Sequence, residues 1–70
     1  MTHSEFARLV TDKMEKNPPY RKGQATFLVA WEHLGEKLNV VLGTDKDPFY
    51  TDESIPAFMI HLLENGFFEG

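Results

Sequence analysis

Apolar residues recur at helical spacing in four segments of the chain. In the first segment, Phe6, Leu9, Val10 and Met14 are separated by steps of one to four residues that place them on one face of a helix. Similar patterns lie around Phe27, Leu38 and Phe58. The pattern predicts one all-α domain over residues 1–70, a compact bundle of three to four short helices over about 3–17, 21–34, 36–42 and 54–65.

Residues at the ends of these segments support the helix boundaries. Thr2 and Glu5 have the spacing of a capping box. Pro18 disfavours helical geometry in the residue before it, so the first helix is expected to end near Asn17. Glycine readily takes the left-handed conformation that ends helices, so Gly35 is expected to break the middle of the chain into two helices.

The last helix and the core complete the predicted fold. Asp52 or Ser54 is expected to cap the last helix, with Pro56 in its first turn. We expect Trp31 at the centre of the core, and Val41 and Leu42 to point inward. At least one of the two aromatic residues near the C-terminus is expected to pack back onto the core. The predicted core residues are Phe6, Leu28, Trp31, Leu38, Phe58 and Leu62.

Composition narrows the classes of function. The chain has no Cys and no apolar run of the roughly 18 residues that a membrane span requires. We therefore expect a soluble cytoplasmic protein. Residues 1–35 carry five Lys/Arg and four Asp/Glu, whereas residues 36–70 carry two and seven. An acidic second half makes nucleic acid an unlikely partner, because that binding depends on neutralising phosphates. It leaves a protein with a basic surface open as a partner.

The connection over residues 43–53 is the least ordinary segment, and we call it the acidic-aromatic loop. Asp45 and Asp47 begin like a calcium-binding EF-hand, but Phe49 stands at a ligand position and the sixth position is not Gly. A weak divalent-cation site among the loop carboxylates is one alternative. The other is that Asp45 and Asp47 bond nearby backbone while Phe49 and Tyr50 pin the loop. We predict no metal and no cofactor.

Catalytic patterns are not found in the sequence. His61 and Glu64 have a spacing known from carboxylate-bridged metal sites, but such sites need several more carboxylates facing inward. Ser4 and Ser54 fit helix caps rather than nucleophiles, which require a base and an orienting acid. No glycine-rich phosphate loop is present. The chain is therefore predicted not to be an enzyme.

Two nucleic-acid hypotheses remain as alternatives. A helix-turn-helix is disfavoured, since Gly35 comes one residue late and the following segment offers only Lys37 and Asn39 to base edges. Binding through Arg21, Lys22 and Lys37 stays open. An acidic surface could instead mimic DNA, formed by Glu36, Asp45, Asp47, Asp52, Glu53, Glu64 and Glu69.

Two motifs carry a resemblance to a known group. The first is Arg21-x-Gly23-Gln24-Ala25, and the second is Gly43-Thr44-x-x-Asp47-Pro48-Phe49-Tyr50-x-Asp52, followed by Ile55-x-x-Phe58. Together they resemble small uncharacterised bacteriophage proteins over roughly residues 20–63. The resemblance implies a phage origin. It implies no particular activity, since the group has no settled one. Small phage proteins often act by binding a host protein, which is an analogy and not a deduction.

The leading hypothesis is a small non-enzymatic protein-binding module that modulates or inhibits a host protein. Tyr and Phe are good interface anchors, and carboxylates around them would steer towards a basic partner. The predicted binding residues are Asp45, Asp47, Phe49, Tyr50, Asp52 and Glu53. The competing interpretation is that Phe49 and Tyr50 belong to the core. A further alternative is a self-assembling protein that forms a homodimer through Phe67 and Phe68.

Overall fold

The computed structural model describes residues 1–68 of the 70-residue chain. These residues form α1 (His3–Lys16), α2 (Lys22–Leu34) and α3 (Ile55–Glu64), with 3₁₀ helices at Gly35–Val40 and Asp52–Ser54. Residues 1–68 contain no strand, so the prediction of an all-α bundle is confirmed. The radius of gyration is 11.1 Å, which is the value of about 11 Å expected for a compact domain of this length.

The capping box at the start of α1 forms as predicted. The Thr2 hydroxyl accepts the Glu5 N–H at 3.1 Å, and a Glu5 carboxylate oxygen accepts the Thr2 N–H at 3.3 Å and its hydroxyl at 3.1 Å. These bonds, the one from the Thr2 backbone above all, lower the pKa of the exposed Glu5 carboxyl. α1 ends at Lys16, one residue before the predicted limit.

Gly35 divides the middle of the chain, as predicted. Its φ of 55° is in the left-handed region, and α2 ends immediately before it. The next segment is a 3₁₀ helix over Gly35–Val40 instead of an α-helix over 36–42. A 3₁₀ helix has three residues per turn, so Leu38 and Val41 both point inward and are buried. Leu42, predicted to point inward, is exposed.

Phe58, and not Trp31, lies at the centre of the core. The buried core residues predicted correctly are Phe6, Leu38, Phe58 and Leu62. Trp31 is half-buried at the edge, where its ring stacks on Phe27 at 5.8 Å. Leu28 is also half-buried. The small residues Ala25 and Ala30 are fully buried and let neighbouring elements approach α2 closely. The buried arc of α2 is therefore turned away from Leu28 and Trp31.

Both C-terminal aromatic residues contact α1. Phe68 is buried and its ring stacks on His3 at 4.0 Å, while Phe67 is half-buried. Both rings meet Phe6 edge to face, at 5.6 Å for Phe67 and 5.4 Å for Phe68. The prediction that at least one of them packs back is confirmed. Neither forms the exposed apolar edge that self-assembly through these residues requires.

The start of α3 differs from the prediction. Thr51 caps the 3₁₀ turn before it, where its hydroxyl accepts the Glu53 N–H at 3.3 Å. Ser54 makes no capping bond through its side chain, and Asp52 is turned towards α2. Pro56 lies in the first turn as expected. None of the helices in residues 1–68 is long and apolar enough to cross a bilayer.

Candidate binding surface on the acidic-aromatic loop

Asp47 organises the acidic-aromatic loop from inside. Its side chain is 2% exposed. One carboxylate oxygen accepts the Gly43 N–H and the other accepts the Phe49 N–H, both at 2.9 Å. Both oxygens thus bond the loop's own backbone, as in an Asx turn. The prediction that Asp47 is displayed to a partner is wrong, because the burial and these bonds leave it no outward role.

Thr44 closes the first turn of the same loop. Its hydroxyl donates to the Val41 carbonyl at 2.7 Å and accepts the Lys46 N–H at 3.2 Å. The Asp47 N–H donates in turn to the Thr44 carbonyl at 3.1 Å. Gly43, with φ of 73°, takes the left-handed conformation that this turn needs. The Gly-Thr-x-x-Asp part of the motif is therefore a turn stabilised by hydrogen bonds among its own residues.

Pro48 and Phe49 attach the loop to α2. Pro48 is among the fully buried side chains. Its carbonyl oxygen approaches Gly23 so closely that a Cβ at position 23 would lie 2.2 Å from it. Phe49 is half-buried and meets Phe27 edge to face at 5.8 Å. Of the two interpretations of Phe49, its contacts favour the packing role.

Asp52 completes the attachment from the far end of the loop. One of its oxygens accepts the Gly23 N–H and a guanidinium N–H of Arg21, both at 2.9 Å. Arg21 also donates through its second terminal nitrogen to the Phe49 carbonyl. Asp52 therefore caps α2 from a distant part of the sequence and not α3 as predicted. We call the contact among Arg21, Gly23, Pro48, Phe49 and Asp52 the loop–α2 clamp.

The loop–α2 clamp joins the two motifs that carry the resemblance. Gln24 supports it, since its side-chain oxygen accepts the Arg21 N–H at 2.9 Å. Sequence reasoning missed this contact and assigned Arg21 to a nucleic-acid hypothesis. The signal that could have found it is Gly23, a glycine near the start of a predicted helix, where close backbone approach is a frequent reason for glycine.

Three predicted binding residues remain directed outward without a role in the clamp. Tyr50 is 74% exposed, and Asp45 and Glu53 are also exposed. The Tyr50 ring meets the half-buried Phe49 ring edge to face at 5.3 Å, so an exposed aromatic group stands on an anchored neighbour. The loop therefore divides into a hydrogen-bonded framework and an outward surface that contains Tyr50, two carboxylates and the exposed Lys46.

The alternative sites lose several of their residues. Arg21 is engaged by Asp52, which leaves Lys22 and Lys37 of the proposed nucleic-acid contacts. Of the acidic residues considered for DNA mimicry, Asp47 is buried and Asp52 is paired, and Glu69 lies outside the described residues. Within residues 1–68, no group of three or more His, Asp or Glu side chains could hold a metal ion.

Two shallow apolar grooves run along the sides of α3. One, of about 250 Å³, separates α3 from α1 and includes Phe6, Met14 and Met59, with Lys22 on its wall. The other, of about 360 Å³, lies between α3 and the first 3₁₀ helix and includes Lys37 and His61. Neither groove contains a buried polar side chain that lacks a hydrogen-bond partner, so neither has the unpaired polar group that would mark a polar ligand.

Comparison with known proteins assigns no family. No protein-family model, curated protein or solved structure matches this chain. Function is therefore inferred from the exposed residues of the chain itself and from the resemblance of its two motifs.

Proposed function

We propose that this chain is a small non-enzymatic protein-binding module, phage-encoded, that modulates a host protein in the host cytoplasm. The observation that carries the proposal is the 74% exposure of Tyr50 on a loop whose flanking residues are held in place. Asp47 fixes the loop on one side of Tyr50, and Asp52 fixes it on the other. Tyr50 is thus presented at a defined position.

A fixed aromatic side chain suits protein binding for a thermodynamic reason. Association costs about 0.5–1.5 kcal/mol for each flexible side chain that must be ordered, and further free energy for ordering a loop. The loop–α2 clamp and the Asp47 hydrogen bonds already order the loop in the free protein. The free energy of ordering the loop is therefore not lost when a partner binds. Tyrosine is also among the residues that most often dominate interface energetics.

The charge around Tyr50 supports a basic partner surface. Asp45 and Glu53 are exposed, residues 47–68 contain no Lys or Arg, and Lys46 is the exposed cation of the loop itself. An excess of exposed charges of one sign accelerates association with an oppositely charged surface and suppresses the wrong partners. The proposed binding residues are therefore Tyr50, Asp45 and Glu53. Asp47, Phe49 and Asp52 act as positioning residues that hold this surface.

The phage origin is supported by the two motifs alone. Most motif residues with described contacts lie in the loop–α2 clamp or in the Asp47 turn. The resemblance therefore bears more directly on a shared architecture than on a shared partner. Tyr50 is the exception, because it belongs to the second motif and has no part in the clamp.

Affinity capture from bacterial lysate tests the proposal. We expect wild-type protein to retain a host protein that Tyr50→Ala loses, with affinity reduced about 30-fold or more if Tyr50 is an interface hot spot. Val40→Ala is the matched control, since Val40 is 72% exposed on the first 3₁₀ helix. This control should retain the partner. Higher salt should weaken capture, and neither substitution should change the melting temperature by more than a few degrees.

Other outcomes would assign the function elsewhere. Capture that survives Tyr50→Ala, with the fold intact, would move the interface away from the acidic-aromatic loop. Salt-sensitive binding to duplex DNA that requires Lys22 and Lys37 would favour the nucleic-acid alternative. A molecular mass that doubles with concentration in light scattering, together with no captured protein, would favour the homodimer.

A further inference from the structure

α3 is apolar on the side that faces away from the core. Phe58 and Leu62 point inward and are fully buried, whereas Ile60 and Leu63 are 56% and 55% exposed. Positions 56, 60 and 63 are separated by four and three residues, so exposed Pro56 lies on the same outward face. A helix that is apolar all round is typical of buried positions. The outward face thus has the composition of a face that another chain covers.

Carboxylates bracket this apolar stripe. Glu53 is one helical turn before Pro56, and Glu64 follows Leu63; both are exposed. Neither forms a salt bridge with another residue of 1–68. α3 itself contains no Lys or Arg. Lys22 and Lys37 line the grooves on either side of α3. We call Glu53, Pro56, Ile60, Leu63 and Glu64 the outer α3 face.

We infer that the outer α3 face docks a basic amphipathic helix of another protein. Its apolar residues would cover Ile60 and Leu63, and its Lys or Arg side chains would pair with Glu53 and Glu64. Helix packing of this kind uses apolar anchors at three- and four-residue spacing, which the exposed stripe on α3 also has. Pairing across the rim would select the partner by charge complementarity.

The negative charge of Glu53 and Glu64 also disfavours binding of a second copy of this chain, or of an anionic membrane, to the outer α3 face. A two-fold symmetric pair brings the same patch against itself. In an antiparallel pair of α3 helices Glu64 would approach Glu53, and in a parallel pair Glu64 would approach Glu64. Like charges across an interface are costly. Anionic lipids would meet the same two carboxylates. The outer α3 face does not depend on Tyr50, which lies on the preceding loop.

Titration of the isotope-labelled protein with a designed Leu/Lys amphipathic peptide of about 18 residues, long enough to form a helix on binding, tests this inference. We expect NMR shift changes concentrated at Ile60, Leu63 and their neighbours. The double variant Ile60→Ser/Leu63→Ser should bind about tenfold more weakly or worse, as loss of two apolar contacts predicts. A Leu/Glu peptide with the same apolar pattern should not bind.

Matched variants keep the test decisive. Leu42→Ser, at an exposed apolar position outside α3, should bind the Leu/Lys peptide like wild type, as should Tyr50→Ala. Glu53→Lys/Glu64→Lys should reverse the preference towards the Leu/Glu peptide. This charge reversal leaves the apolar residues in place, so it tests the site even if the serine variant fails to fold.

Three results would overturn the inference. The first is Leu/Lys binding unchanged in the folded Ile60→Ser/Leu63→Ser variant or in the charge-reversal variant. The second is concentration-dependent dimerisation that Ile60→Ser/Leu63→Ser abolishes, which would assign the face to a second copy. The third is binding to vesicles of anionic phospholipid that the same variant abolishes, which would assign it to a membrane. If Tyr50→Ala loses a lysate partner but keeps the peptide, the two surfaces bind independently, although they share Glu53.

Discussion

At the scale of single residues, Gly23 shows how one missing side chain permits a tertiary contact. It lies in the first turn of α2, where glycine lowers helix stability by about 1 kcal/mol relative to alanine. The position requires glycine for space, since a Cβ would meet the Pro48 carbonyl oxygen at 2.2 Å and an Asp52 carboxylate oxygen at 2.7 Å. Close approach therefore outweighs helix propensity at this site.

Gly23→Ala is expected to destabilise the protein. The added methyl group forces Pro48 and Asp52 away, and overpacking of this kind costs about 1–3 kcal/mol, which exceeds the gain in helix propensity. Urea unfolding followed by circular dichroism measures the change. Lys22→Ala, at the exposed preceding position, is the control and should have little effect. A Gly23→Ala protein more stable than wild type would show that the contact is loose.

The four carboxylates of the loop mark the limit of prediction at this scale. Asp45, Asp47, Asp52 and Glu53 look equivalent in the sequence, yet Asp47 is buried, Asp52 is paired and the others are free to face outward. The role of each carboxylate depends on which N–H groups the fold brings near it. The backbone N–H that Asp52 accepts belongs to Gly23, about 30 positions away in the sequence. Local pattern does not identify such partners, although Gly23 indicates that another part of the backbone approaches the start of α2 closely.

At the scale of elements, periodicity predicted each helical segment because most of the buried residues lie at helical spacing. It failed where the pattern fits both an α-helix and a 3₁₀ helix, and where either of two faces of a helix could be buried. Residues 36–42 are too few to distinguish three from 3.6 residues per turn, and the 3₁₀ form left Leu42 outside. The prediction of Trp31 at the centre is wrong, because the fully buried Ala25 and Ala30 lie on the side of α2 that faces inward.

Substitutions in the loop–α2 clamp can distinguish the contribution of a helix cap to stability from the contribution of an ion pair. Asp52→Ala removes the acceptor for Gly23 N–H and is expected to cost about 1–2 kcal/mol. Asp52→Asn keeps an oxygen for that N–H and should recover most of the loss. Arg21→Lys should cost less than Asp52→Ala, because the Arg21 and Asp52 side chains are 42% and 50% exposed and such pairs contribute little.

Chemical denaturation at two salt concentrations checks this ranking. The cap is a hydrogen bond to a partly buried N–H and should persist at 1 M NaCl, whereas the exposed ion pair is screened. Asp45→Asn is the control, since Asp45 is exposed. Equal losses for Asp52→Ala and Asp52→Asn would mean that charge, and not capping, is the main contribution.

At the scale of the whole molecule, the C-terminal aromatic residues join the two ends of the chain. Phe67 and Phe68 both contact Phe6, and Phe68 stacks on His3 at the start of α1. A domain of this length buries a smaller fraction of its surface than a larger domain does, so each large buried ring is a substantial part of its stability. Phe68 is thus part of the core, and Phe67 packs against it.

Phe68→Ala is expected to lower the free energy of unfolding by about 3 kcal/mol, the lower range for removal of a buried aromatic ring. The melting temperature should fall clearly, since 1 kcal/mol corresponds to about 4–8 °C in a domain of this size. Leu63→Ala removes an exposed apolar side chain and is the control. An unchanged melting temperature in Phe68→Ala would show that the Phe68 ring is dispensable for stability.

The loop–α2 clamp also bears on the order in which the chain folds. Arg21 and Asp52 are 31 positions apart, and Gly23 and Asp52 are 29 apart. Contacts of this separation form only after a large loop-closure entropy has been overcome, whereas Asp47 bonds Gly43 only four positions away and closes a short loop. The turn is therefore expected to form early in folding. The loop–α2 clamp is expected to form later and to attach the turn to α2. Loosening the clamp should then mainly accelerate unfolding and leave the folding rate nearly unchanged.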